Sequence, residues 1–302
     1  MLYIVQTALE LGFLYALVAM ALFLSYRVLD IADLTTDGCF ILGAAVSVTM
    51  AANGHPLLAI PAALAAGACA GFVTAFLQTK LGVPSILAGI VTNTGLYTVN
   101  LMVMGWSSNV SLLKTETIFS MFKTTGIGGE WSEAFLAAVI TILVGILLVL
   151  FLGTRLGLSI RATGNNIKMV RASSINPSFT ITVGLCVANA MTALSGAMVG
   201  QYQNTADING GTGIVVIGLA CLIIGETVLG HRTIIKGAIA AIVGSIIYRV
   251  IYAVVLYTKI VPVQGLKLIT AIVVGVAIAF PTIKNWVQFQ QKKFAAVRKG
   301  EK

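Results

Sequence analysis

Charge is scarce in this 302-residue chain: Asp, Glu, Lys and Arg make up 10% of it, while 58% is hydrophobic. Soluble domains carry about 25% charged residues, and the mean hydropathy is +0.98, so a water-soluble enzyme is excluded. Histidine is scarcer still, with His55 and His231 far apart. There is no HExxH, no Cys/His cluster and no nucleophile elbow, so hydrolytic or metal catalysis has no residues to rest on. No GxxxxGK[ST] phosphate loop is present, and Gly126-x-Gly128-Gly129 and Gly211-x-Gly213 lack the following helix and distant acid of a dinucleotide site. Any step driven by ATP therefore needs a motor on another chain. Cys39, Cys69, Cys186 and Cys221 all lie inside apolar runs without a CxxC pair, and they read as small buried hydrophobes.

What the sequence has in abundance is long apolar runs. They fall at 3–26, 38–52, 57–79, 84–104, 132–153, 177–202, 214–230, 236–257 and 266–283. A membrane-crossing helix needs about 20 apolar residues, and runs this long in lipid are helices, not strands. The expectation is an all-α polytopic membrane protein of about nine transmembrane helices, one transmembrane domain over 1–302 with no separate soluble domain. No basic n-region precedes Arg27, so the first run reads as a retained helix and not as a secretory signal. Gly67-x-x-x-Gly71 and Gly196-x-x-x-Gly200 allow close helix approach.

Lys and Arg number 19 against 10 Asp and Glu, a net charge of +9. In a soluble protein that would raise nucleic acid as a partner; here the basic residues sit in short loops and the tail, and they orient the chain. The connection 154–176 carries Arg155, Arg161, Lys168 and Arg171, the tail 284–302 is strongly basic, and 203–213 has no Lys or Arg. Placing 154–176 and the tail in the cytoplasm leaves Lys114, Lys123, Lys259 and Lys267 outside, with Arg249 inside a span. The N-terminus then lies outside, and the tail lies against anionic lipid. Trp106 and Trp131 bracket the outer loop 105–131 as interfacial anchors.

A weak internal repeat accompanies this arrangement. Asp33-Leu34-Thr35-Thr36-Asp37-Gly38 leads into one short apolar run, and Asp207-Ile208-Asn209-Gly210-Gly211-Thr212-Gly213 leads into another. On the charge count the two copies lie on opposite faces, as an inverted-topology repeat requires; ordinary Asp and Gly turn chemistry would give the same residues.

The stretch Gly157 to Pro177 is the most informative. Gly164, Asn165 and Asn166 can break one helix and cap the next, and Pro177 can only open a new one. About ten residues of helix fit between, with Ile167 and Val170 facing one way and Lys168 and Arg171 toward solvent. A short amphipathic cytoplasmic helix over 165–174 is what docking to a motor subunit needs; a helical loop on the membrane surface is the plainer reading.

Here the chain resembles a known family. The run Arg161-Ala162-x-Gly164-x-Asn166…Ala172-x-x-Ile175-Asn176 resembles the coupling segment of ABC importer permeases of the branched-chain amino acid and ribose class. Asp33–Ala45, Gly95-Leu96-Tyr97…Asn100-Leu101…Gly105 and Ile224-Gly225-Glu226…Gly230 resemble the same class. The forms D-L-T-x-D-G and T-G-L-Y-x-x-N-L-x-x-M-G are similar to a subgroup paired with lipoprotein receptors for amino acids, often aromatic ones. The resemblance implies two permease copies in the inner or plasma membrane, a homodimer being simpler than a heterodimer, with cytoplasmic ATP-binding subunits that hold ATP and magnesium and an external substrate-binding lipoprotein. It implies no cofactor on this chain, and it makes Arg161, Gly164, Asn165, Asn166, Ile167, Val170 and Arg171 the coupling residues.

Polar residues inside the spans are candidates for the pathway. Asn93, Tyr97 and Asn100 recur at i, i+4 and i+7 with Thr92 beside them, and Asn189 and Thr192 form a weaker pair. Each set either lines a path or holds helices together. Arg249 lies near the middle of its span and needs a partner or water; a solute carboxylate would serve, and so would backbone carbonyls. Glu226, near an inner helix end, is a gate or a solvated acid, too far in depth to pair with Arg249. Asp33 and Asp37, one turn apart on any helix there, would with Arg27 fix the start of the second span. Paired carboxylates also suit the rival reading, a stand-alone ion-coupled transporter.

Overall fold

The computed structural model describes residues 2–112, 115–124, 126, 129–230 and 233–258, and beyond these 268, 271–272, 274–276 and 279. Among the described residues six helices are long and apolar enough to cross a membrane, and two shorter apolar ones accompany them. Helix α1 (Leu2–Leu22) runs on into a π-helical turn over Phe23–Val28, and α2 is Thr36–Ala52. Then come α3 (Ala59–Thr79), α4 (Ser85–Val103), a short α5 (Ile118–Thr124) and α6 (Ser132–Gly153). The second half holds α7 (Arg155–Asn165), α8 (Ile167–Ala172), α9 (Pro177–Gln203), α10 (Ile214–Leu229) and α11 (Ile234–Thr258). The apolar runs as far as 257 thus become helices with small shifts at their ends. Of the ninth run only 268, 271–272, 274–276 and 279 are described, all helical, and the basic tail 284–302 lies outside the described residues.

Helices α1 and α9 are the axis of the bundle. Within each, 72% of the apolar window is buried, against 28% in α4, α6 and α11. Helix α9 packs on α2 and α3, and α1 packs on α10 and α11. Their facing side chains, among them Leu14, Leu17, Met20, Leu185, Met198 and Leu222, form one continuous core. Glycine permits a close crossing: a Cβ at Gly43 would overlap the Ala193 carbonyl, and one at Gly196 would overlap that of Phe40. Only bare backbones can meet there, so α2 and α9 touch main chain to main chain.

Helix α2 has 17 residues and α10 has 16. At 1.5 Å per residue each is about 25 Å long, short of a hydrocarbon core of about 30 Å. Both therefore start inside the protein, where their first turns need partners from neighbouring helices.

One end of the bundle carries a small cap that the helical expectation lacked. Strand β1 (Asn109–Ser111) pairs antiparallel with β2 (Thr205–Asp207), Val110 opposite Ala206. Phe119 of α5 stacks edge-on against Tyr202 at 5.5 Å. Helices α7 and α8 lie at the other end. Cys39 and Cys221 are buried as expected, but Cys69 is exposed and Cys186 is half-buried. Their helix faces point outward, where thiols suit lipid as well as they suit a core.

Candidate functional site

At the α7–α8 end the chain breaks where asparagine permits it. Asn166 leaves helical geometry at φ −162° and its side chain accepts the Met169 N–H at 3.1 Å, capping α8. Asn176 caps α9 through the Ser178 N–H at 3.0 Å, with Pro177 at the first helical position. The expected ten-residue helix is therefore six residues long, and Arg161, Gly164 and Asn165 belong to α7 before the break. Ile167 and Val170, three residues apart on one helix, differ in depth. Val170 is fully buried and roots α8 in the body, while Ile167 and Met169 are exposed beside Lys168 and Arg171. In so short a helix one anchor suffices, and the other apolar side chains are free to face outward.

Helix α7 is pressed against the π turn. Gly164 meets the Val28 carbonyl so closely that any side chain would overlap it. The hydroxyls of Thr163 and Thr180 lie 2.8 Å apart and join α7 to α9. Arg161, Asn165 and Arg27 border one cavity of about 270 Å³. Arg27 does not pair with the Asp33–Asp37 cluster, because the π turn swings it the other way: its Nε lies 3.1 Å from Glu226 Oε1 at the end of α10. Glu226 is thus paired, and with Arg27, not Arg249.

Asp33 and Asp37 also part company, since α2 begins only at Thr36. Asp33, buried, accepts the Thr35 N–H at 2.9 Å and the side-chain amide of Asn189 at 2.6 Å. Asp37 accepts the N–H groups of Gly213 at 3.0 Å and Val215 at 2.8 Å, capping α10 from α2. A carboxylate at a helix N-terminus is favoured by both the dipole and the unfilled N–H groups. The two acids are therefore braces of separate helices. Among the described residues no group of three His, Cys, Asp or Glu side chains is placed to hold a metal ion.

The polar face of α4 divides by contact. Asn100 is fully buried and donates to the Gly38 carbonyl at 3.1 Å. Thr92 and Thr192 are buried and bond carbonyls of their own helices. Asn93 is half-buried beside Gly38, and Tyr97 is 51% exposed. Asn100 and Asn189 thus make hydrogen bonds to other segments, Thr92 and Thr192 bond within their own helices, and Tyr97 faces away from the bundle.

Arg249 is 9% exposed and sits off-centre in α11, nine residues before its end at Thr258. Its guanidinium carbon lies 3.6 Å from the centroid of the Tyr15 ring and 5.7 Å from that of Tyr252. The cationic group is held by aromatic faces, and it borders a cavity of about 390 Å³ shared with Tyr15, Tyr248, Tyr252, Thr212 and Gly213.

Two buried polar residues escaped the sequence reading. Glu10, 3% exposed, accepts from Tyr202 Oη at 2.6 Å and from Gln6 at 3.0 Å. Gln201, 1% exposed, receives the Ile118 N–H at 2.9 Å and donates to Ser47 and to the Pro56 carbonyl. Gln6 and Glu10 at i, i+4 carried a signal, but the partners of Gln201 lie far off in sequence.

Comparison with known proteins adds three findings. Residues 4–280 match the family described as "Branched-chain amino acid transport system / permease component". The chain is 35% identical over 260 residues to a "Tyrosine transport system permease protein" of Clostridioides difficile (strain R20291), covering 86% of this chain and 85% of that protein. It is 31% identical over 282 residues to an uncharacterized protein of Rickettsia prowazekii (strain Madrid E), covering 91% and 97%. No solved structure matches.

Proposed function

Because the chain belongs to the permease component family of branched-chain amino acid transport systems, we propose that it carries an aromatic amino acid inward as the membrane subunit of an ATP-driven importer. It is a multi-pass membrane protein and a transport subunit, so its own task is to bind, pass and release a solute. The amino acid class follows from the family, and the preference for an aromatic one from the tyrosine permease relative.

One observation carries the coupling to ATP. Helix α8 is rooted by Val170 and turns Ile167 and Met169 outward at the end where Arg155, Arg161, Lys168 and Arg171 gather. Exposed apolar side chains amid basic ones need a protein partner or a lipid surface, and the positive-inside rule puts this end in the cytoplasm. We assign it to a cytoplasmic ATP-binding subunit, which holds ATP and magnesium. The opposite end, with β1, β2 and α5, then meets an external substrate-binding lipoprotein. A second copy of the chain completes the membrane unit, with Tyr97 and Asn93 of α4 turned toward the path or the partner copy.

The packing supports an inverted repeat. Among these six helices, exchanging α1 with α9, α2 with α10 and α3 with α11 preserves the pattern of contacts: α9 on α2 and α3 becomes α1 on α10 and α11, and α2 on α3 becomes α10 on α11. Such a pair of halves can rock about a shared site. Closure of the ATPase pair would push on α8, and α7 would pass the motion through Gly164 to the π turn and, through Arg27 and Glu226, to α10.

The test is co-purification. The tagged chain is drawn from its own membrane in mild detergent and the eluate is assayed for ATP hydrolysis. An ATP-binding subunit that co-purifies with wild type and is lost with Ile167→Asp supports the reading; a chain that emerges alone and without ATPase activity refutes it.

A further inference from the structure

We propose that the cavity at Arg249 is a way station for the solute, in which the guanidinium takes the carboxylate of an aromatic amino acid and the tyrosine rings take its side chain. This inference rests on the reading of the chain as an amino acid permease.

The guanidinium is not fully matched by its neighbours. Stacking on Tyr15 engages its face, but its N–H donors lie in its plane and point outward at the edge. Nε is buried and has no hydrogen-bond partner among the described residues, and no carboxylate of those residues lies within ion-pair distance of Arg249. A buried charged donor left unmet is costly, and an arriving anion removes that cost. Carboxylate is the anion whose planar fork matches guanidinium.

The walls define what can accompany the anion. Tyr15, Tyr248 and Tyr252 form one side, and Thr212, Gly213 and Ile217 at the start of α10 form the other. At about 390 Å³ the space lies near the lower end of the roughly 300–1,000 Å³ of small-molecule sites. An amino acid fits within it; a sugar can stack on aromatic rings too, but it brings no carboxylate for the guanidinium. The position suits delivery as well. Nine residues from the end of α11 is about 14 Å of helix, on the side of the bundle that the positive-inside rule turns outward. Asp37, by capping α10, keeps that helix start neutralised and leaves Arg249 as the charged group of the cavity among the described residues.

The phosphate of an anionic lipid offers similar chemistry, because Arg249 also borders a second, apolar cavity of about 410 Å³ with Ile4, Leu11 and Leu256. The experiment separates the two sources. The full chain is placed in nanodiscs of phosphatidylcholine, with or without phosphatidylglycerol, and treated with an arginine-selective dicarbonyl reagent. Modification at each arginine is followed by peptide mass spectrometry, Arg161 serving as internal reference. L-Tyrosine is expected to slow modification of Arg249 about tenfold or more, as a charge-assisted hydrogen-bonded pair would, and tyramine, which lacks the carboxylate, is expected not to. Equal protection by tyramine, no protection at all, or protection by phosphatidylglycerol that tyrosine does not change would overturn the proposal. Uptake of labelled tyrosine by the assembled transporter keeps the two readings apart. If wild type and Arg249→Met import equally, the site is wrong and the permease stands. If wild type imports no amino acid, the underlying reading falls.

Discussion

The carboxylate of Asp37, in the first turn of α2, accepts the backbone N–H of Val215 at 2.8 Å in the first turn of α10. With Gly213 as its second donor, Asp37 fixes the starts of two helices too short to cross a membrane unaided. The two short helices begin against each other, and the Arg249 cavity opens beside that junction through Gly213 and Ile214.

Removing the brace at Asp37 should loosen this junction. Asp37→Ala forfeits both charge-assisted bonds and a cap, about 1–3 kcal/mol, whereas Asp37→Asn keeps one acceptor. Thermal melts of the purified chain in detergent should rank wild type above Asp37→Asn and that above Asp37→Ala. Equal melting of all three would show the cap to be dispensable.

The Asp33–Asn189 bond, 2.6 Å in a buried setting, offers a sharper contrast. Asn189→Leu strands a buried carboxylate and should cost about 2–3 kcal/mol. Thr192→Val, one turn away, removes a hydroxyl that bonds only its own helix and should cost well under that. The same melts decide; a larger loss at Thr192 contradicts the assignment.

The Arg27–Glu226 pair is 40% and 14% exposed in its side chains, so it adds little stability, on the order of 1 kcal/mol at most. Its expected weight is in motion. Arg27→Glu and Glu226→Arg should each reduce uptake with little change in melting, and the double exchange should restore part of it. A double variant no better than the worse single one would remove the pair from the coupling route.

At α8 the two kinds of side chain should separate cleanly. Ile167→Asp or Arg171→Glu, both at exposed positions, should abolish association with the ATP-binding subunit while membrane insertion and melting stay as in wild type. Val170→Pro, at the buried anchor, should lose association and also lower the melting temperature. Association that survives all three excludes α8 as the coupling element.

Much of this was legible in the sequence because membrane helices announce themselves over some twenty residues, and Asn166, Asn176 and Pro177 mark breaks by their own chemistry. What stayed hidden was pairing across the fold. Arg27 stands beside three aspartates in sequence, yet the π turn, invisible as a pattern, delivers it to Glu226. Asp33 and Asp37 are four residues apart, but helix α2 begins between them and sends each to a different partner. The i, i+4, i+7 spacing on α4 groups Asn93, Tyr97 and Asn100 by direction but not by depth: Asn100 is buried against α2, while Tyr97 is exposed. Periodicity reports direction around one helix; burial depends on where the neighbours end.

The most direct measurement is uptake of labelled tyrosine into proteoliposomes holding the chain and its ATP-binding subunit, with the substrate-binding lipoprotein supplied outside. Accumulation should require ATP inside the vesicles, require the lipoprotein and be unaffected by collapsing ion gradients. Accumulation by the chain alone, driven by a proton or sodium gradient and indifferent to ATP, would contradict it.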